Sequence, residues 1–253
     1  MKIKPSLMLL HGVTMSARVW SGVVPMLDDR FDLIVPTAAG HRGGPKIEGT
    51  ASIRALTDAT ERILDDRGLE TVHIAGNSMG GWMAIELARR GRASSVCAFS
   101  PAGLWSASEP ASGTRATLAH VKKLADVTRR VTPTLLRFEL ARRIVFREAA
   151  LHGDRMGFQE AVDAYRDLAD CDVAFELFAT TENLEVYSSS SCPVTVAWSA
   201  NDRIFPPDQF GKIAYERLPH ARFVELHDVG HVPMIDDPAL CARVIRESIG
   251  ENS

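Results

Sequence analysis

The sequence lacks the features that would take it out of the water-soluble globular class. None of its 253 residues falls in a run of about 18 consecutive apolar residues, the length a spanning helix needs. The apolar run near the start, Leu7 to Leu10, is too short for the core of a secretion signal. A cytoplasmic location and no membrane partner are expected. Cysteine is scarce: Cys97, Cys171, Cys192 and Cys241 lie far apart with no CxxC pair, so they read as free thiols rather than a disulfide framework or a metal site. A large charge of one sign is also missing. Lys and Arg number 29 against 32 Asp and Glu, and the net −3 supplies no field for nucleic acid or anionic lipid. What is there is ordinary core material, 45% hydrophobic and 24% charged, in a chain longer than one average domain and short of two. One elaborated α/β domain is the expectation.

Six short apolar runs read as strands buried on both faces: Ser6–Leu10, Asp32–Val35, Thr71–Ala75, Ser95–Phe99, Val194–Trp198 and Arg222–Leu226. Helical patterns alternate with them at Ala17–Leu27, Ser52–Asp66, Met79–Arg90, Asp208–Leu218 and Pro238–Ile249. Repeated strand-then-helix units make right-handed crossovers and a mostly parallel sheet of about six strands with helices on both faces. The rhythm breaks between Phe99 and Val194, where a crossover helix should take only 10–15 residues. The surplus reads as a helical cap over 103–191, inserted into a core of 1–102 and 192–253. Within it Thr132-Pro133 reads as a helix start, with Leu136, Leu140 and Ile144 on one stripe; Leu118, Val121 and Leu124 form another. Phe158–Leu168 and Val173–Phe178 look like two shorter helices.

The chemistry concentrates at Gly76-Asn77-Ser78-Met79-Gly80-Gly81, directly after a strand and opening a helix. Glycines two positions either side of a serine let the backbone turn tightly there and lift the hydroxyl above the sheet edge, with a helix N-terminus behind it. A glycine-rich turn with an incidental serine is the bland alternative. A serine hydroxyl needs a base, and the base needs an orienting group. Asp202 follows the strand Val194–Trp198, and His231, in Gly230-His231, follows the strand Arg222–Leu226. Both stand at carboxyl ends of strands, where open α/β sheets place their sites. Taken singly, Asp202 would be a turn residue and His231 a loop histidine; the order Ser, Asp, His favours a triad. His220 and His227 read as turn and strand-end residues, Asp228 as a weaker acid, and Asp236 and Asp237 as helix N-terminal charges. Two backbone N–H groups, of Met79 and of Val13 in His11-Gly12-Val13, are placed to stabilise an oxyanion. His11 reads as a brace for that loop.

These segments, HGV at 11–13, GNSMGG at 76–81, Asp202 and Gly230-His231, resemble the α/β-hydrolase superfamily, in particular its lidded serine esterase, cofactor-free haloperoxidase and C–C hydrolase branch. The resemblance covers the sheet and not the cap. It implies Ser78 as nucleophile, His231 as base, Asp202 as orienting acid, Val13 and Met79 as oxyanion donors, and no cofactor or metal. A serine rather than an aspartate at 78 argues against the epoxide hydrolase and haloalkane dehalogenase relatives. Two departures stand out. Only five residues precede Ser6, so the sheet is expected to lack the family's opening hairpin. The loop that commonly reads Asp-x-x-Gly-His-Gly-x-Ser is here Thr37-Ala38-Ala39-Gly40-His41-Arg42-Gly43-Gly44. His41 and Arg42 read as loop residues, with a substrate carboxylate as their other possible partner.

The expectation is a serine hydrolase cleaving a carboxylic ester or lactone of a small to medium apolar substrate through an acyl-enzyme. C–C hydrolysis of a vinylogous diketone, perhydrolysis with the same triad, and a non-catalytic ligand receptor on the same fold are the rivals. Five of ten phenylalanines (Phe138, Phe146, Phe158, Phe175, Phe178) fall in the insertion. Its amphipathic helices should turn an apolar wall to the site. Phe138 and Phe146 from the insertion, with Trp105 and Val232 from the sheet side, are the expected substrate contacts.

Overall fold

The computed structural model describes residues 4–105, 112–188 and 191–250. The six apolar runs form the six strands of one sheet: β1 (Ser6–Leu10), β2 (Asp32–Ile34), β3 (Val72–Asn77), β4 (Ala93–Phe99), β5 (Val194–Ser199) and β6 (Arg222–Leu226). All neighbours are parallel, in the order β2-β1-β3-β4-β5-β6. Central strands β1, β3, β4 and β5 are buried on both faces, which is why they read as unbroken apolar runs rather than alternating ones. Separate apolar clusters lie on the two faces, one around Met8, Ile74 and Trp82, the other around Leu7, Trp20 and Cys241. After β1 the chain steps outward to β2 and then returns past β1 to β3, so the switch point of the topology lies between β1 and β3. Loops leaving the carboxyl ends of those strands diverge there and leave a crevice.

Two core helices flank the crevice strands. Helix α1 (Ile53–Asp66) is capped by Ser52, whose hydroxyl accepts from the Ala55 N–H, and α2 (Met79–Arg89) starts at the end of β3. The segment Ala17–Leu27, expected as one helix, is instead two 3-10 turns, Ala17–Trp20 and Val24–Met26. Pro25 lacks the N–H an α-helix needs. Gly22 packs so close to Pro238 that a Cβ there would stand 2.9 Å from its ring.

Between β4 and β5 lie α3 (Ser112–Thr128), α4 (Thr132–Leu135), α5 (Glu139–Val145), α6 (Phe158–Ala169) and α7 (Ala174–Phe178). A third apolar cluster, around Leu136, Phe146 and Tyr165, belongs to this insertion. The stripe expected through Leu136, Leu140 and Ile144 is broken. Phe138 adopts extended backbone (φ −93°, ψ 131°), so the chain re-enters a helix rotated: Leu136 is fully buried while Leu140 is 69% exposed. Arg142 takes the inward position and donates to the carbonyls of Leu136, Arg137 and Asp154. Thr132 lies inside α4 rather than capping it; Val131 is the cap residue. On α3, Leu124 is likewise exposed, and Lys122 and Ala125 face inward. Beyond β5 come α8 (Pro207–Arg217), then after β6 the short α9 (Pro233–Asp236) and α10 (Pro238–Ile249).

Candidate active site

Strand β3 ends at Asn77 and α2 begins at Met79, so Ser78 makes the whole turn alone. Its φ of 54° and ψ of −115° are costly for a residue with a Cβ. The strain is held by its neighbours: Ser78 N–H donates to Phe99 O, and Ser78 O accepts from Trp82 and Ala102. The flanking glycines are demanded by contact rather than by dihedral. A Cβ on Gly76 would lie 2.2 Å from Gly80 O, and one on Gly80 2.3 Å from Leu10 O. Helix, strand and the β1 loop meet there with no room for a methyl group. The Ser78 hydroxyl does not cap α2, and no hydrogen bond joins it to His231 among the described residues.

Asp202 and His231 come together from loops after β5 and β6. His231 Nδ1 lies 2.7 Å from Asp202 Oδ2, with both side chains almost wholly out of solvent. The other carboxylate oxygen, Oδ1, accepts from the N–H groups of Ile204 (2.9 Å) and Phe205 (2.7 Å). With Oδ1 occupied, Oδ2 is left for the imidazole, which therefore carries its proton on Nδ1 and leaves Nε2 as the basic nitrogen. Phe205 packs edge-on against the ring at 5.0 Å.

Two residues to which the sequence assigns no place at the site hold the histidine loop. Asn77 Nδ2 donates to His231 O at 2.8 Å, tying the histidine to the residue beside Ser78. Asp236, expected as a helix N-terminal charge, stands at the end of α9 instead, buried. It accepts from Gly230 N (2.7 Å), Leu151 N (2.9 Å) and His152 N (2.7 Å), joining the histidine loop to the insertion. No spacing rule marks a carboxylate that serves three backbone donors. Asp228, the weaker acid candidate, points instead to His152 at 3.1 Å.

The β1 loop lies against Ser78: a Cβ on Gly12 would meet Ser78 Cβ at 3.3 Å. His11 braces this loop. Its Nδ1 bonds Gly12 O at 2.8 Å and its Nε2 accepts from Ala38 N–H at 2.9 Å. Burial, reinforced by His41 nearby, lowers its pKa to about 3, so it is neutral at any ordinary pH. His41, itself pushed down by burial, packs edge-on to it at 5.1 Å. Thr37, where the family's loop has aspartate, accepts from Ala17 N–H. Arg42 reaches α6: Nε to Asp167 at 2.8 Å and Nη2 to Asp163 at 2.9 Å. Asp167, which also binds Arg18 and Ser16, has its pKa raised by burial against these donors. Arg42 is thus occupied between core and insertion.

Ser78, Met79, Val13 and His231 line one cavity of about 380 Å³. Met79 is the first residue of α2, whose leading N–H groups have no carbonyl within the helix. Among the described residues no loop backbone carbonyl takes up the Val13 N–H. Trp105 lines the cavity on one side, and the insertion contributes Leu118, Val121, Phe146, Leu168 and Phe178. Two expected contacts are elsewhere. Phe138 is 54% exposed on the outside of the insertion, turned out by the break before α5. Val232 is completely buried in the core cluster under the histidine loop, because its neighbour His231 takes the cavity-facing position. Phe158 and Phe175 are also exposed, so Phe146 and Phe178 alone of the five phenylalanines reach the cavity. Among the described residues no cluster of His, Cys, Asp and Glu could hold a metal ion.

A parallel sheet with a serine elbow at its switch point and a buried Asp–His pair beside it defines a hydrolase scaffold, and the sequence agrees. The chain belongs to the alpha/beta hydrolase family, whose model matches residues 7–244. Epoxide hydrolase EphH of Mycobacterium tuberculosis is 33% identical over 79% of this chain and 96% of that protein. The pimeloyl-[acyl-carrier protein] methyl ester esterase of Aromatoleum aromaticum is 27% identical over 97% and 98%. Among solved structures, a thermophilic esterase from Thermogutta terrifontis superposes with a TM-score of 0.70 at 23% identity, over 96% of this chain and 90% of that one. The 2-hydroxy-6-oxo-6-phenylhexa-2,4-dienoate hydrolase of a Rhodococcus strain gives 0.74 at 20%, over 98% and 91%. At such identities these two share the fold with this chain.

Proposed function

We propose that this α/β-hydrolase is a serine hydrolase that cleaves a carboxylic ester or lactone of a small to medium apolar substrate. The observation that carries the reading is the buried His231–Asp202 pair at 2.7 Å, set beside a cavity that Ser78 also lines. His231 Nε2 takes the Ser78 proton as Oγ attacks the carbonyl carbon, and the Val13 and Met79 N–H groups receive the oxyanion. The tetrahedral species collapses to an acyl-enzyme as His231 protonates the departing alkoxide. Water then repeats the sequence, the acid leaves and Ser78 regains its proton. Hydrogen bonds between nucleophile and base are often loose without substrate and tighten in the complex, so the free Ser78 hydroxyl is compatible with this role.

The name of the Mycobacterium tuberculosis relative raises epoxide opening as a second reading. Serine argues against it here. A carboxylate that opens an epoxide forms an ester that water can cleave, whereas a serine oxygen would form an ether and remain alkylated. Fluorophosphonate labelling followed by mass mapping tests the assignment: the adduct should fall on Ser78, and Ser78→Ala should lose both label and p-nitrophenyl ester hydrolysis. Styrene oxide turnover without ester hydrolysis would replace this reading with the second one. Ligand binding without turnover of either would make the protein a receptor.

A further inference from the structure

The expectation of no lipid partner rested on summed charge, and the sum hides a strong asymmetry. From Arg115 to Arg147 the sequence holds nine Lys or Arg against Asp126 and Glu139, a net of +7 in a chain whose total is −3. All other residues together therefore carry −10. The same segment carries the main apolar exposure of the molecule. Of twelve large hydrophobic residues left exposed among the described residues, seven lie between 124 and 144: Leu124, Val127, Val131, Leu135, Phe138, Leu140 and Ile144. Isolated exposed apolar residues are commonplace, but here each follows the last by two to four positions through α3, α4 and α5, which makes this stretch of sequence an apolar ridge of the insertion rather than a scatter of single residues.

The cations on this ridge divide by partner. Lys122 and Arg142 are buried, and Arg129 and Arg147 pair with Asp170 and Glu148. Lys123, Arg130, Arg137 and Arg143 are exposed and make no ion pair among the described residues; Arg137 lies over the Phe138 ring at 4.8 Å. A second copy of the chain is a poor occupant, because it would set unpaired cations against like cations. The exposed apolar set is aliphatic apart from Phe138, without the Tyr, Trp and Met that anchor protein interfaces. Basic residues among Leu, Val, Ile and Phe are the composition of surfaces that lie in a lipid headgroup region.

We propose that the outer face of the insertion, from Leu124 to Ile144, docks on anionic lipid surfaces, its aliphatic side chains entering the headgroup boundary and its four unpaired cations meeting lipid phosphates. The same helices border the cavity on their inner side, through Leu118 and Val121 of α3 and Val145 and Phe146 at the end of α5. Docking would therefore hold the cavity against the bilayer. The binding itself is independent of which bond the enzyme cleaves.

The test is co-sedimentation of the full chain with vesicles of phosphatidylcholine, with and without phosphatidylglycerol. Binding should require the anionic lipid and should fade between 0.1 M and 1 M salt, where the screening length shrinks from about 10 Å to 3 Å. Each unpaired cation near such a surface contributes about fivefold in partitioning, so Lys123→Gln, Arg130→Gln, Arg137→Gln and Arg143→Gln together should weaken binding by ~10²–10³. A second variant, Leu124→Ser, Val127→Ser, Leu140→Ser and Ile144→Ser, should lose binding as well, and hydrolysis of a short soluble ester by either variant should match wild type. Equal sedimentation with neutral vesicles, no sedimentation with anionic ones, or unchanged binding by both variants overturns the proposal. A concentration-dependent dimer abolished by the serine variant, or binding to polyglutamate but not to vesicles, overturns it in favour of a protein partner.

Discussion

Acid should destabilise this protein partly through one histidine that takes no part in the proposed chemistry. His11 Nε2 accepts from Ala38 N–H, so a second proton on the ring would remove that bond and set two donors face to face. The cost is visible in its pKa, lowered from 6.5 to about 3 by burial and by His41. A depressed histidine pKa has a definite sign. The unfolded chain takes up the proton near pH 6.5 and the folded chain only near 3, so stability is complete above about 6.5 and falls as pH drops toward 3. In that window one proton contributes about 1.4 kcal/mol per pH unit, or about 2–3 kcal/mol between pH 6.5 and 4.5. At about 2–4 °C per kcal/mol for a chain of this size, His11 alone should lower Tm by roughly 4–12 °C over that interval. His11→Gln supplies an oxygen to Ala38 N–H and does not titrate. It should start less stable at pH 7, by about 1 kcal/mol for the lost bond to Gly12 O, and the gap should close or reverse by pH 4.5. Thermal melts of both proteins across this range cancel the titrating groups they share. Parallel curves would refute the argument, because they would mean that His11 gains its proton as easily folded as unfolded.

How much of this was legible in the sequence follows from where the physics is local. The central parallel strands, buried on both faces, are continuous apolar runs; all six strands stand out with ends within two residues, although the edge strands β2 and β6 are only partly buried rather than covered on both faces. The elbow was readable because Gly76 and Gly80 are fixed by contacts closer than any Cβ allows. The insertion was not readable to the same depth. Its faces are set by a backbone break at Phe138, which no residue type at 137–139 announces, and the break sends Leu140 and Ile144 outward while Arg142 turns in. Val232 shows a different limit: adjacency to His231 says nothing of direction, since neighbours at a loop end point to opposite sides. Arg42 and, apart from Gly230, Asp236 depend on partners 84 to 125 positions away along the chain, and a long-range ion pair or carboxylate cradle has no periodicity to find. The basic ridge is explicit in the sequence, yet net charge averages it away.

Three further outcomes are expected. In Asp202→Asn the amide oxygen can keep the Ile204 and Phe205 N–H bonds, but its NH₂ then faces Nδ1 and forces the proton to Nε2; the fold should survive while kcat falls by up to ~10⁴, and full activity would move the orienting role elsewhere. Phe146 lines both the 380 Å³ cavity and a neighbouring one of about 270 Å³, so Phe146→Ala should shift the preferred p-nitrophenyl acyl chain to greater length, and an unchanged profile would mean the two do not join. Asp236→Asn tests whether His231 is held from behind. With its oxygen in the Oδ2 position the amide keeps Gly230 N and Leu151 N, but its NH₂ confronts the His152 N–H that Oδ1 had accepted. One charge-assisted bond lost and one buried donor stranded cost about 2–4 kcal/mol, or roughly 4–16 °C in Tm. The histidine loop has no slack to absorb the change, since a Cβ on Gly230 would already touch Leu151 N at 2.9 Å. The imidazole should therefore wander from its working position, lowering kcat with little change in KM at temperatures well below the new Tm. A lower Tm with kcat intact would show that Asp236 anchors the insertion without positioning His231.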